Sequence, residues 1–218
     1  MPTWFEEQKR SFADVKIDAA NDNGISTTEF LEAAESLTTL FDVLGSKAFT
    51  PVKSDLTNNI KVRIYIVPRS QMASEAYSPS QKVRERQLAA PAESETLQAL
   101  VINELKTKKH VASEGLLWLV RGLDFTAQAL RHNLKNGSTE LSDSFREAYG
   151  NTLKPHHSFV IKPIFSAAMS ATPYRKDFYA KLGDDQVKVN ESLDREVDAL
   201  EKNVAILKEF QGRKEAKW

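Results

Sequence analysis

A chain of 218 residues is long enough to bury one large core. Its 30 basic and 30 acidic residues cancel, so no general attraction to nucleic acid or to an anionic bilayer arises, and any membrane contact has to be local. The lack of cysteine removes disulfides, a thiolate nucleophile and thiolate zinc sites, and no stretch approaches the roughly 20 apolar residues that span a bilayer. MPTWFEEQKRSF carries no apolar run of a signal peptide, so the expectation is a soluble, cytosolic protein.

Residues 1–25 are polar and loosely patterned, with Asn21-Asp22-Asn23-Gly24 as a turn cluster, and are expected to be a flexible lead-in from which Trp4, Phe5 and Phe12 pack on the body. Ser26 followed by Glu29 matches a capping box, and Phe30, Ala33, Ala34, Leu37, Leu40, Phe41 and Leu44 keep helical spacing as far as Gly45. Pro51 suits the first turn of a second helix, on which Asp55 and Asn59 fall on one face beside the apolar Val52, Leu56 and Ile60.

The pattern breaks at Val62. Residues 62–81, VRIYIVPRSQMASEAYSPSQ, keep no helical period, and with them removed NNIK joins KVRERQ in phase. Two explanations stand for this insertion: a surface loop, or a short intron retained in frame, because valine codons begin with GT and a glutamine codon is CAG.

Helical spacing returns at Leu97, Leu100, Val101 and Leu105 and, after the basic link at 106–110, in GLLWLVRGLDFTAQALRHNL at 115–134. The apolar residues of that last run nearly surround the axis, as in a central buried helix. Asn136-Gly137-Ser138 closes it. Further helices are expected at Leu141 to Tyr149, from about Lys154 to Ala171, after Thr172-Pro173, and from a cap at Asn190 or Ser192 through Phe210. Six to eight helices with no convincing strand indicate an all-α fold of packed layers.

Taken singly, the polar candidates have ordinary readings: Asp55 and Asn59 as solvated helix surface, Trp118 as core and His157 as a structural histidine. Four histidines without paired-ligand spacing give no metal site, Ser113 and Ser158 lack the context of a hydrolase nucleophile, and the basic residues form no nucleic-acid footprint. The chemistry left is recognition.

Three blocks in order, FDVLGSKAFTPVKSDLTNNI at 41–60, LLWLVRGLDF at 116–125 and KPHHSFVIKPIFSAAMSATPYRKDF at 154–178, resemble the glycolipid transfer protein family. The likeness is closer to its fungal heterokaryon-incompatibility C2 type. It covers residues 26–210 apart from 62–81, and leaves 211–218 as a tail. The resemblance implies a two-layer, all-α helical sandwich enclosing a hydrophobic lipid tunnel. It further implies a non-enzymatic carrier, or sensor, of glycosphingolipids with simple neutral heads of the glucosyl- or galactosylceramide kind. No cofactor, no metal and no nucleic-acid partner follow from it, and the membrane contact is transient and peripheral.

By that resemblance Asp55 and Asn59 bind hydroxyls of the first sugar, Trp118 is the platform under its ring, and His157 donates to the ceramide amide carbonyl while Asp55 accepts from the amide N–H. Phe159, two residues after His157, is the membrane-docking aromatic. The family's basic residue seven positions after the acid is replaced by Val62; excision of 62–81 brings Lys82 to that place, and Lys61 and Arg63 are the alternatives if the segment is genuine. The rival readings are ceramide 1-phosphate transfer on the same fold, disfavoured by Asn59 and Trp118 where phosphate wants cations, and an interaction protein of signalling or incompatibility.

Overall fold

A computed structural model describes residues 2–45 and 79–218. The predicted second helix with Asp55 and Asn59, and residues 62–78 of the atypical segment, lie outside the described residues.

The expected lead-in is packed onto the body. It forms a one-turn helix α1 (Trp4–Glu7), a 3₁₀ turn at Phe12–Asp14 and a two-residue antiparallel pair, β1 (Ile17–Asp18) with β2 (Gly24–Ile25), in the register Ile17 to Ile25 and Asp18 to Gly24. Phe12 and Ile25 are fully buried, and Phe12 meets Phe30 edge to face at 5.6 Å. The cause is long-range. The buried carboxylate of Glu196 accepts from the Phe12 N–H at 3.1 Å and from the Ser11 hydroxyl, so the start of the 3₁₀ turn is capped by a side chain from the far end of the sequence.

The helix expected from Ser26 to Leu44 is two helices, α2 (Thr27–Thr38) and α3 (Leu40–Val43). At the break the hydroxyls of Thr38 and Thr39 donate back to the carbonyls of Glu35 and Ser36, both at 2.7 Å, and the Thr39 and Asp42 N–H groups bond three residues back instead of four. The predicted capping box is not made: Glu29 accepts instead from the Lys16 N–H at 2.7 Å, because the β1–β2 pairing brings Lys16 alongside. Gly45, at φ +69°, ends α3 in the left-handed conformation that glycine adopts at least cost.

Beyond residue 78 come α4 (Pro79–Ala89), α5 (Leu97–Lys106), α6 (Val111–Lys135), α7 (Leu141–Asn151), α8 (Ile161–Ser170), α9 (Arg175–Leu182) and α10 (Gln186–Gly212). Residues 79–81, the end of the atypical segment, form the first turn of α4, with Pro79 and Ser80 buried. Two boundaries differ from the sequence reading. α8 starts at Ile161 rather than near Lys154, and Pro163 sits at its third position, where the missing N–H has no partner to lose. α10 starts at Gln186, capped by Asp185, whose carboxylate accepts from the Val187 and Lys188 N–H groups at 3.1 Å each.

α6 is the axis of the molecule. It packs against α4, α5, α7 and α10, and buries Leu116, Leu119, Val120, Leu123, Phe125 and Leu130 round most of its circumference, each worth about 1.5–3 kcal/mol of transfer free energy. Its first turn is held by the buried Glu104 of α5, whose carboxylate accepts from the N–H groups of Ala112 at 2.9 Å and Ser113 at 2.7 Å. α7 and α8 pack together, α9 packs on α10, and helix-on-helix contact supplies the core of this all-α fold.

Candidate functional site

The site grows from one face of α6. Gly115 and Trp118 are three residues apart and so lie one above the other. A Cβ on Gly115 would come within 2.9 Å of the Cβ of Lys82 and of the backbone carbonyl of Pro79, so the missing side chain is what lets α4 lie against α6. That approach sets Lys82 on the Trp118 row of α6. Its side chain is 12% exposed and its ammonium stands 3.8 Å from the carboxylate of Glu114, a turn before Trp118.

Trp118 is half-buried and ringed by polarisable groups. The guanidinium of Arg121 lies 4.8 Å from the ring centroid, a cation–π contact. His157 stacks beside the indole with ring centroids 6.2 Å apart at 23°, and His156 meets it edge-on at 6.4 Å. Burial lowers the Arg121 pKa, and burial together with the Arg121 charge lowers that of His156.

His157 comes from the turns between α7 and α8, where its N–H bonds the carbonyl of Leu153 at 3.1 Å. The ring is 8% exposed and set among aromatics: Phe165 at 4.5 Å edge to face, and Tyr149, whose hydroxyl is 3.2 Å from Nδ1. Tyr149 in turn stacks on Phe165 at 5.4 Å, and Phe125 of α6 closes the group. Burial, with the nearby His156 and Lys162 charges, pulls the His157 pKa down from 6.5 to about 4, so the imidazole is neutral at physiological pH. The Tyr149 hydroxyl is the hydrogen-bond partner of Nδ1, and the tautomer in which the phenol donates carries the ring proton on Nε2.

Phe159, two residues on, is 84% exposed, in a turn rather than in a helix or the core. Four of the six predicted site residues are thus described. Trp118 and His157 are in ring contact, Lys82 is on the same row of α6, and Phe159 stands outside beside them in sequence. Asp55 and Asn59 lie outside the described residues.

Sequence reasoning missed Arg121 and Tyr149. Arg121 had a signal, since it is the one charge in GLLWLVRGL and falls three residues after Trp118 on the same face. Tyr149 had none, because it reaches His157 only through the turn that follows α7. A groove of about 470 Å³ opens elsewhere, lined by Trp4, Gln8, Ser36, Thr39 and Val43 among others, and includes none of the predicted site residues. Among the described residues no group of three metal-ligating side chains occurs.

A half-buried indole with one guanidinium against its ring and a neutral buried imidazole beside it suits a ligand that offers a flat apolar face and uncharged hydrogen-bond acceptors. The sequence profile for glycolipid transfer protein (GLTP) matches residues 25–65 and 68–184. A glycolipid transfer protein of Aureobasidium melanogenum is 62% identical over 216 residues, covering 99% of this chain and 96% of that one. The crystal structure of HET-C2, a fungal glycolipid transfer protein, superposes with a TM-score of 0.87 at 58% identity over 99% of this chain and all (100%) of its own. The structure of FAPP2, described as selecting simple glycosphingolipids using the GLTP-fold, gives a TM-score of 0.77 at 30% identity, covering 96% of this chain and 95% of that one.

Proposed function

Because the chain belongs to the glycolipid transfer protein family, we propose that it takes up a glycosphingolipid with a simple, neutral sugar head and carries it between membranes without breaking a bond. The observation that carries this reading is the pairing of Trp118 with the buried His157 on the row of α6 that also receives Lys82. The indole is the platform for the apolar face of the first sugar. The Nε2 proton of His157, fixed there by Tyr149, is donated to the ceramide amide carbonyl. Asp55 accepts from the amide N–H and, with Asn59, holds sugar hydroxyls; a carboxylate takes two donors at once, and such charged hydrogen bonds contribute about 1.5–3 kcal/mol. Lys82 is the basic partner of that pair, a role supported by its seat over Gly115.

The acyl chains enter a hydrophobic tunnel between the helices. A chain of ~14 methylenes represents on the order of 10 kcal/mol of transfer free energy before ordering costs. Such a gain offsets extraction from a bilayer only when the protein meets the membrane, and the exposure of Phe159 supports it as the residue that does so. Among the described residues no helix is long and apolar enough to cross a membrane. A cytoplasmic, peripherally attached carrier is the arrangement that fits. For residues 62–81, of which 79–81 open α4, the two readings are a genuine insertion and a retained intron; the mature transcript distinguishes them, since uniform presence of these codons excludes the intron.

The test is transfer of labelled galactosyl- or glucosylceramide between vesicles, with ceramide 1-phosphate as competitor and with a version lacking residues 62–81 in parallel. Trp118→Ala and Asp55→Val abolish transfer with circular dichroism unchanged. Normal transfer in either refutes the site assignment. Binding retained without transfer points to a sensor, and preferential competition by ceramide 1-phosphate overturns the sugar reading.

A further inference from the structure

The neutral total charge conceals a segregated one. The end of α5 and its link to α6 carry Lys106, Lys108, Lys109 and His110, all exposed, and the 3₁₀ turn Lys214–Ala216 after α10 packs against α5 with Lys214 and the following Lys217 exposed. The two segments are joined by a ring stack, His110 on Trp218 at 5.6 Å and 12°; Trp218 is 56% exposed, and Val111, which follows His110, 44%. Among the described residues no carboxylate is paired with any of the five lysines. Glu215, the acid set among them, is 3.9 Å from Arg213, and Lys106 bonds the amide of Asn103.

Lys108 adds a second observation. It closes α5 at φ +60°, its N–H bonding the carbonyl of Leu105 at 3.0 Å, in the left-handed conformation that suits glycine or asparagine at a helix end. A lysine there holds a charge at a backbone position where another residue is better accommodated.

We propose that these lysines, gathered round the His110–Trp218 stack, form a second membrane-facing surface that binds the anionic phospholipid headgroups of a bilayer. Five ammonium groups on flexible stems suit a diffuse layer of phosphates, whereas recognition of one phosphopeptide calls for the planar fork of an arginine, and the neighbouring Arg213 is already engaged by Asp22 and Glu209. An indole half in water, stacked on the histidine that precedes an exposed valine, is suited to the bilayer interface, where its ring sits at headgroup level. The surface is separate in sequence and in chemistry from Phe159, and it acts without any glycolipid bound.

The experiment is flotation of the protein with glycolipid-free phosphatidylcholine vesicles, with and without phosphatidylserine. Binding is expected only to the anionic vesicles and is lost in 1 M salt, where the screening length falls to about 3 Å. Lys109→Gln and Lys217→Gln each weaken it about five-fold, and Trp218→Ala weakens it as well. Lys108→Gly moves two readings in opposite directions, raising the melting temperature while lowering vesicle affinity about five-fold. Phe159→Ala keeps the dependence on lipid charge, which separates this surface from the docking residue of the transfer reading. Unchanged binding in the Lys109→Gln, Lys217→Gln double variant overturns the proposal. So does loss of the charge dependence in Phe159→Ala, or binding of a polyglutamate peptide with none to anionic vesicles.

Discussion

His157 ties stability to pH through burial. Its folded pKa of about 4 lies below the unfolded value of 6.5, so between those two the unfolded chain binds the extra proton and folding stability rises with pH. The contribution is fully present above about pH 6.5, falls away as pH drops toward 4 and levels off below, and its size is on the order of 3 kcal/mol. Urea unfolding at a series of pH values is expected to show that slope in the wild type and a flatter one in His157→Gln. Glu196 runs in the opposite sense, since burial raises its pKa and favours the protonated native form as pH falls. Tyr149→Phe tests the tautomer: without the phenol on Nδ1 the Nε2 proton is no longer fixed, and glycolipid affinity drops roughly five-fold, about 1 kcal/mol. Titration of Trp118 fluorescence with galactosylceramide reads it, and unchanged affinity removes Tyr149 from the site. At this scale the ring contact of Trp118 with His157 was legible because both fall inside ordered blocks of sequence, whereas Lys82 was proposed because excision of the odd segment brings it into phase. Tyr149 was not, since its relation to His157 depends on how the chain turns after α7.

At the scale of elements, the contact of α4 on α6 depends on one missing side chain. Gly115→Ala puts a Cβ 2.9 Å from a backbone carbonyl and from the Lys82 Cβ. Neither is the yielding end of a flexible side chain, so overpacking costs about 1–3 kcal/mol and shifts Lys82 from the site row. A lowered urea midpoint with unchanged slope, together with weakened glycolipid binding, is the expected pair of results. The N-terminal segment makes a second case. Glu196→Ala strips the cap from the Phe12 turn and leaves its N–H unpaired, and faster amide exchange at residues 8–14 is expected, with a loss on the order of 2 kcal/mol. After the lead-in, whose one-turn α1 the period did not reveal, helices among the described residues were legible from period: the buried face of α6 matches its apolar run, and Gly45 stops α3 as read. Boundaries were less so wherever a side chain competes for the backbone. Thr38 and Thr39 break the first helix, Asp185 rather than Asn190 or Ser192 starts the last, and Lys16 takes the carboxylate that Ser26 was expected to share. The docking of residues 2–25 was hidden because its partner, Glu196, is supplied by the opposite end of the chain.

For the molecule as a whole, binding and transfer are separable quantities, because holding a lipid depends on the site and tunnel whereas delivering it depends on meeting a bilayer. Phe159 belongs to the second. Its side chain is 84% exposed and is outside the ring contacts that join Trp118, His157, Tyr149 and Phe165. Its removal leaves that group untouched, while an aromatic moved from water into the interface contributes about 1.5–3 kcal/mol. Phe159→Ala is therefore expected to slow vesicle-to-vesicle transfer on the order of ten-fold or more, with glycolipid affinity in detergent-free solution nearly unchanged. His157→Gln has the converse profile, losing affinity first and transfer only in consequence. Equal loss of binding and transfer in Phe159→Ala refutes the docking role, and would mean that the exposed ring shapes the site from outside instead of bringing the site to the membrane.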